Sequence, residues 1–152
     1  MKGLKQEDLS FTISYILQQM PDMRTEEQIR ILAELFQTKK YLSFITDLVT
    51  IEKICRRLYV ESFHRNQIIF NKGQKGDFFY VVLSGKVAGY NEDETTDVSF
   101  KQPYLFTLGP DKSFGEMALI TNTLRMCSVK ALENTELIVV PKEVYIQYYG
   151  VL

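Results

Sequence analysis

The chain has 152 residues, of which 45% are apolar and 24% charged, and a formal net charge of −1 at pH 7. Such a composition suits a soluble domain with its own core, and argues against a disordered chain or a surface dominated by polyanion binding. No run approaches about 18 uninterrupted apolar residues and the N-terminus lacks a signal-peptide pattern, so a cytoplasmic protein without a membrane segment is expected.

The first third has helical periodicity. Leu9, Ile13, Ile16 and Met20 recur at helical spacing over residues 6–20, and Pro21 ends the run. Thr25-Glu26-Glu27-Gln28 has the form of a capping box, with Ile29, Leu32, Ala33 and Phe36 as the apolar stripe that follows. A third helix is predicted over residues 48–58, with Leu48, Ile51, Cys55 and Leu58 inward. These helices could dock on a β domain or on a partner protein; the pattern alone allows both. Cys55 and Cys127 are the only cysteines, which a domain with its own core need not pair, and a buried thiol suits Cys55.

Near Tyr59 the pattern changes to short β-prone segments. Strands are predicted over 59–64, 67–70, 78–83, 86–90, 104–108, 125–132 and 136–140, with Gly73 and Gly76 bracketing one turn and Ser84-Gly85 forming another. Residues 91–99 carry four acidic side chains without apolar period and are expected to form a solvated hairpin loop. Pro141 sits where a helix can begin. About eight short strands with glycine-containing turns imply an α+β, mainly β fold: an antiparallel β-roll or jelly roll with N-terminal helices and a short helix inside the roll. The expected division is a helical extension over residues 1–58 and a roll over 59–152 with a truncated C-terminal helix.

Residues 114–131, FGEMALITNTLRMCSVKA, hold the candidate chemistry. Gly115 permits a positive φ or close approach to a ligand. Glu116 can accept from a sugar hydroxyl, the next residues suffice for a helical turn with free N–H groups, and Arg125 offers a planar fork for two phosphate oxygens. Singly, Arg125 reads as a surface cation and Glu116 as a helix-start carboxylate. Together they make a small site for a phosphorylated, ribose-bearing ligand.

The ordered string Phe114-Gly115-Glu116-x-Ala118-Leu119-Ile120-x-x-Thr123-x-Arg125-x-x-Ser128-Val129 resembles the phosphate-binding cassette of cyclic nucleotide-binding domains. That family includes regulatory subunits of cAMP-dependent kinase, cyclic-nucleotide-gated channels, cAMP-responsive exchange factors and catabolite-activator-type regulators. With Gly73-x-x-Gly76-Asp77-x-x-Tyr80 and Gly85, the resemblance extends over roughly residues 63–145. It implies that the glycines shape the corners of the roll, that Phe78 and Tyr80 help fill it, and that the ligand is a cyclic nucleotide rather than a cofactor. Arg125 is then assigned to the cyclic phosphate and Glu116 to the ribose 2′-hydroxyl, the two steadying each other. Gly115, Met117, Ala118, Met126, Cys127 and Ser128 complete the site, with backbone N–H groups near Met117, Ala118 and Cys127 facing the anion. In the family a threonine after the arginine often favours cGMP; Met126 stands there and has no hydroxyl, which implies cAMP over cGMP. Family members usually close the base pocket with a C-terminal helix, whereas Leu152 stands only 11 residues past Pro141. The lid is therefore expected from another segment or a partner, or the chain is a fragment.

The function implied is a sensor that binds a cyclic nucleotide and regulates a partner or attached domain through its helices. The alternative is a pseudo-receptor or interaction domain that keeps the fold without the ligand. An enzyme is disfavoured, because His64 is the only histidine and no nucleophile elbow, P-loop or metal-ligand spacing occurs. Nucleic acid is not an expected partner, since the N-terminal helices lack a dense Lys/Arg face.

Overall fold

The computed structural model describes residues 5–41, 45, 47–91 and 104–148. The predicted acidic loop lies almost wholly outside them, as does Leu152. Three helices open the described chain: α1 (Gln6–Gln18), α2 (Glu26–Lys39) and α3 (Leu48–Cys55), with a single 3₁₀ turn at Pro21–Met23. Eight strands follow: β1 (Tyr59–Phe63), β2 (Ile68–Phe70), β3 (Phe78–Ser84), β4 (Val87–Tyr90), β5 (Phe106–Leu108), β6 (Ser113–Phe114), β7 (Ser128–Ala131) and β8 (Thr135–Pro141). Helix α4 (Glu116–Thr121) interrupts the strands between β6 and β7, and α5 (Lys142–Tyr148) follows β8. The strands form two antiparallel four-stranded sheets, β1-β8-β3-β6 and β2-β7-β4-β5, which is the predicted roll.

Local chemistry sets several of these boundaries. The capping box forms: the Gln28 N–H donates to Thr25 Oγ1 at 3.1 Å while the Thr25 N–H donates to Gln28 Oε1 at 3.0 Å. Two inward faces differ from expectation. Helix α1 stops at Gln18, so Met20 lies past its end and is 71% exposed while Leu17 takes the inward position. In α3 the exposed Leu48 sits in the first turn, and Ile54 joins Ile51 and Cys55 in the core. Periodicity locates a stripe, but the packing partner decides which turn of it is covered.

The near-continuous apolar run of β3 has a direct cause: both of its faces are buried. Phe79, Val81 and Leu83 point toward α1–α3, whereas Tyr80 and Val82 point into the roll. Strand β8 alternates in the same way, with Ile138 and Val140 outward and Leu137 and Val139 inward. The N-terminal helices thus cover the outer face of one sheet and share a core with it. Polar ties reinforce the seam. Ser14 Oγ donates to Glu136, and the buried Arg24 guanidinium donates to the carbonyls of Leu17, Gln19 and Cys55. Cys55 is a free buried thiol, pushed up to about 12 by that burial.

Candidate functional site, a buried arginine beside a short helix

Strand β6 is only two residues long, yet it positions the site. Its pairing with β3 places Phe114 opposite Tyr80, and the two rings stack with centroids 5.1 Å apart. The chain then turns at Gly115, whose φ of 92° opens α4, a backbone region that disfavours a Cβ. Glu116 is the first residue of α4, and Asn122 closes the helix at φ 52°. Arg125 is anchored by its backbone before its side chain does anything: its N–H donates to Gln74 O at 2.7 Å and its carbonyl accepts from Gly73 N at 2.8 Å. The glycine-bracketed turn is thereby tied to the cassette.

The Arg125 side chain runs inward and is 5% exposed. Nη1 donates to Gly115 O at 2.7 Å, Nη2 donates to Phe78 O at 2.6 Å, and Cζ lies 4.1 Å from the centre of the Phe70 ring. The Nε–H is buried without a partner, and so is Glu116 Oε2. Arg125 and Glu116 do not form the mutual pair expected from sequence; among the described residues the guanidinium tips are held by backbone carbonyls instead. Burial pulls the Arg125 pKa below the ordinary arginine value, while nearby Tyr80, Asp77, Cys127 and Glu116 act against that shift. An arginine remains charged throughout. The Cys127 thiol is pushed up by burial, with Arg125 and Lys72 pulling it back.

These groups border a cavity of ≈ 310 Å³, at the small end of ligand sites. Its polar edge is made by Ser113, Gly115, Glu116 and Arg125, and its apolar floor by Phe70, Phe106, Leu108, Phe114 and Val129. Met117, Leu124 and Met126 form an exposed rim. Seven of the predicted site residues line this cavity: Gly115, Glu116, Met117, Ala118, Arg125, Met126 and Cys127. Ser128 does not. Alternation along β7 turns Cys127 and Val129 toward the cavity and Ser128 away, where its Oγ accepts from the Lys72 N–H at 2.9 Å. Phe70, Phe106 and Leu108, the floor residues on β2 and β5, lie outside the predicted site, because a short β-prone segment does not show which cavity its side chains face.

The cyclic nucleotide-binding domain model matches residues 60–149. A cyclic AMP receptor protein from Thermus thermophilus is 36% identical over 91 residues, which cover 60% of this chain and 38% of that protein. Among solved structures, the cAMP-bound form of the EAL enzyme Bd1971 is 34% identical, with a TM-score of 0.55 over 61% of this chain and 24% of its own. The regulatory domain of Toxoplasma gondii PKA, co-crystallised with cAMP, has a TM-score of 0.69 over 85% of this chain and 48% of its own. At 21% identity the likeness to that domain is one of fold. The chain spans well under half the length of the curated relatives it matches. With its matched segment covering both sheets and the whole cassette, the chain belongs to the cyclic nucleotide-binding domain family.

Proposed function

We propose that this chain is a sensor module that takes cAMP, in preference to cGMP, into the cavity beside α4 and passes the binding event to a partner or attached domain. The observation that carries the reading is the pair of orphaned polar atoms. Glu116 Oε2 and Arg125 Nε are buried, lack partners and belong to residues that border one cavity. Buried polar groups are nearly always satisfied, so two left open on residues of one cavity support a reading in which a ligand supplies the missing bonds. A ribose hydroxyl donating to Glu116 and a phosphate oxygen accepting from Arg125 fit that need. Cys127 and the N–H groups at the start of α4 would complete the anion's surroundings. Met126 is 76% exposed at the rim and has no hydroxyl for a guanine, which favours adenine.

The route outward runs through α5. Lys142 Nζ donates to Asn122 Oδ1 at 3.1 Å, and the Lys142 N–H donates to Asp77 O at 3.0 Å, so α5 is tethered to the end of α4 and to the glycine turn. A ligand that favours one placement of α4 therefore biases α5 and, through it, a protein partner. The module acts by binding, not catalysis, and does not address nucleic acid. Its free thiols suit the reducing cytoplasm. No helix among the described residues is long and apolar enough to cross a membrane.

Titration calorimetry tests the reading. The expected result is micromolar cAMP binding, weaker cGMP binding, and a loss of about 100-fold or more in Arg125→Glu, from removing at least one charge-assisted bond and adding repulsion. Thermal melting of the same samples controls for folding. A folded wild-type chain that gives no heat with cAMP refutes the reading, and a clear preference for cGMP overturns the argument from Met126.

A further inference from the structure

Arg125 presents an unusual problem. Its two Nη groups hold the carbonyls of Gly115 and Phe78, which fixes the two tips, while its buried Nε–H has no partner and the residue borders the cavity. A face contact adds to those bonds: Arg125 Cζ stands over the Phe70 ring, 4.1 Å from its centre and well inside cation–π range. Phe70 is buried, and its own orientation is fixed by neighbouring rings, with Tyr80 and Phe114 each 6.1 Å away between centroids.

The strand is irregular where it must be to achieve this. In β2 the pairing goes from Ile68 opposite Lys130 to Phe70 opposite Val129, so two steps on β2 match one step on β7. A regular ladder would place Phe70 opposite Ser128. The extra residue, Ile69, forms a bulge, and bulges re-aim the side chains that follow them. Here Phe70 is brought level with Val129, and both line the floor of the cavity below Arg125.

We propose that Phe70 is the positioning residue of this site: its ring face orients the Arg125 guanidinium toward an anionic ligand. The proposal rests on the reading of Arg125 as the phosphate-binding group, but one of its tests does not need that ligand. Phe70 supplies no bond to the ligand. Its π face favours the charged guanidinium and its flat surface sets the plane, so an aliphatic residue of similar volume would fill the space and fail in the role.

Two measurements on the full chain separate the possibilities. In the ligand-free protein, the Arg125 Nε–H proton is expected upfield from ring shielding, and to move downfield in Phe70→Leu while staying near its position in Phe70→Tyr. In cAMP calorimetry, Phe70→Leu is expected to bind about 3- to 30-fold more weakly and Phe70→Tyr within about twofold of wild type. A ring-fluorinated phenylalanine at position 70 keeps the shape while depleting the π face. It is expected to weaken binding as leucine does, and it serves if Phe70→Leu does not fold. An unchanged Nε–H resonance in Phe70→Leu, or equal affinity for the fluorinated and native rings, overturns the proposal. Absence of cAMP binding in wild type refutes the sensor reading alone, and the resonance then decides the role of Phe70.

Discussion

Gly76→Ala is the most direct perturbation of the site that leaves its chemical groups untouched. A Cβ built at Gly76 comes 2.6 Å from Ala118 Cβ and 3.2 Å from Arg125 Cζ. Carbon atoms prefer about 3.5–4.0 Å, so closing that gap takes roughly 1 Å of movement. The turn itself is held on three sides, by the Lys75–Leu124 bridge, the Arg125 N–H to Gln74 O bond and the Lys142 N–H to Asp77 O bond. Helix α4 is a six-residue element with Met117 and Ile120 facing solvent, so α4 is the part that gives way. Overpacking of this kind costs about 1–3 kcal/mol. If the bound cassette needs α4 in its native place, that strain falls on binding and lowers cAMP affinity by about 5- to 150-fold. Gly73→Ala is the matched control: its φ is +88° but nothing lies within 4 Å of the added atom. It should lower stability by about 1–2 kcal/mol through backbone strain, with little effect on affinity. Urea unfolding at constant m-value and cAMP calorimetry read the two quantities separately. If Gly76→Ala binds as wild type does, or Gly73→Ala loses as much affinity, the steric account is wrong.

Two further outcomes follow from buried groups elsewhere. Arg24→Ala strips donors from the carbonyls of Leu17, Gln19 and Cys55 and should lower the unfolding free energy by about 3 kcal/mol, read from the urea midpoint. The Tyr80 phenol is pushed up to about 12 by burial, with the Arg125 charge pulling partly back. A folded-state pKa above the unfolded value of about 10 means the stabilisation is whole below pH ~10 and is lost as pH rises from there to about 12. Urea midpoints across that window should fall in wild type and fall less in Tyr80→Phe; identical slopes would rule Tyr80 out as a source.

Much of the architecture is legible because its signals are local. The Thr25–Gln28 capping box, the Gly73–Gly76 turn and the apolar strands each depend on residues within a few positions of one another, and each forms where the sequence places it. The errors are non-local. Met20 and Leu48 belong to their apolar stripes but fall outside the area that the neighbouring elements cover. Strand β6 has only two residues, and its identity as a strand comes from pairing with Tyr80 and Val81, more than thirty positions earlier. A segment that short carries no period of its own.

The site divides along the same line. Residue types and spacing single out Glu116 and Arg125, because both fall in one contiguous stretch. What the spacing does not contain is how folding disposes of those groups. An open guanidinium fork and an Arg125–Glu116 pair are the simplest expectation from sequence, yet Nη1 and Nη2 reach Gly115 and Phe78 and the pair does not form. Phe78 lies on β3 and Phe70 on β2, both remote in the chain, so neither contact has a sequence signature. The fold therefore uses the Nη end of Arg125 to pin the start of α4 to β3 and leaves Nε buried without a partner. The same side chain that would meet the ligand also holds the cassette to the roll. Replacing it must disturb both functions, which is why the Phe70 and Gly76 variants, with Arg125 intact, are the cleaner probes of how the site is held ready.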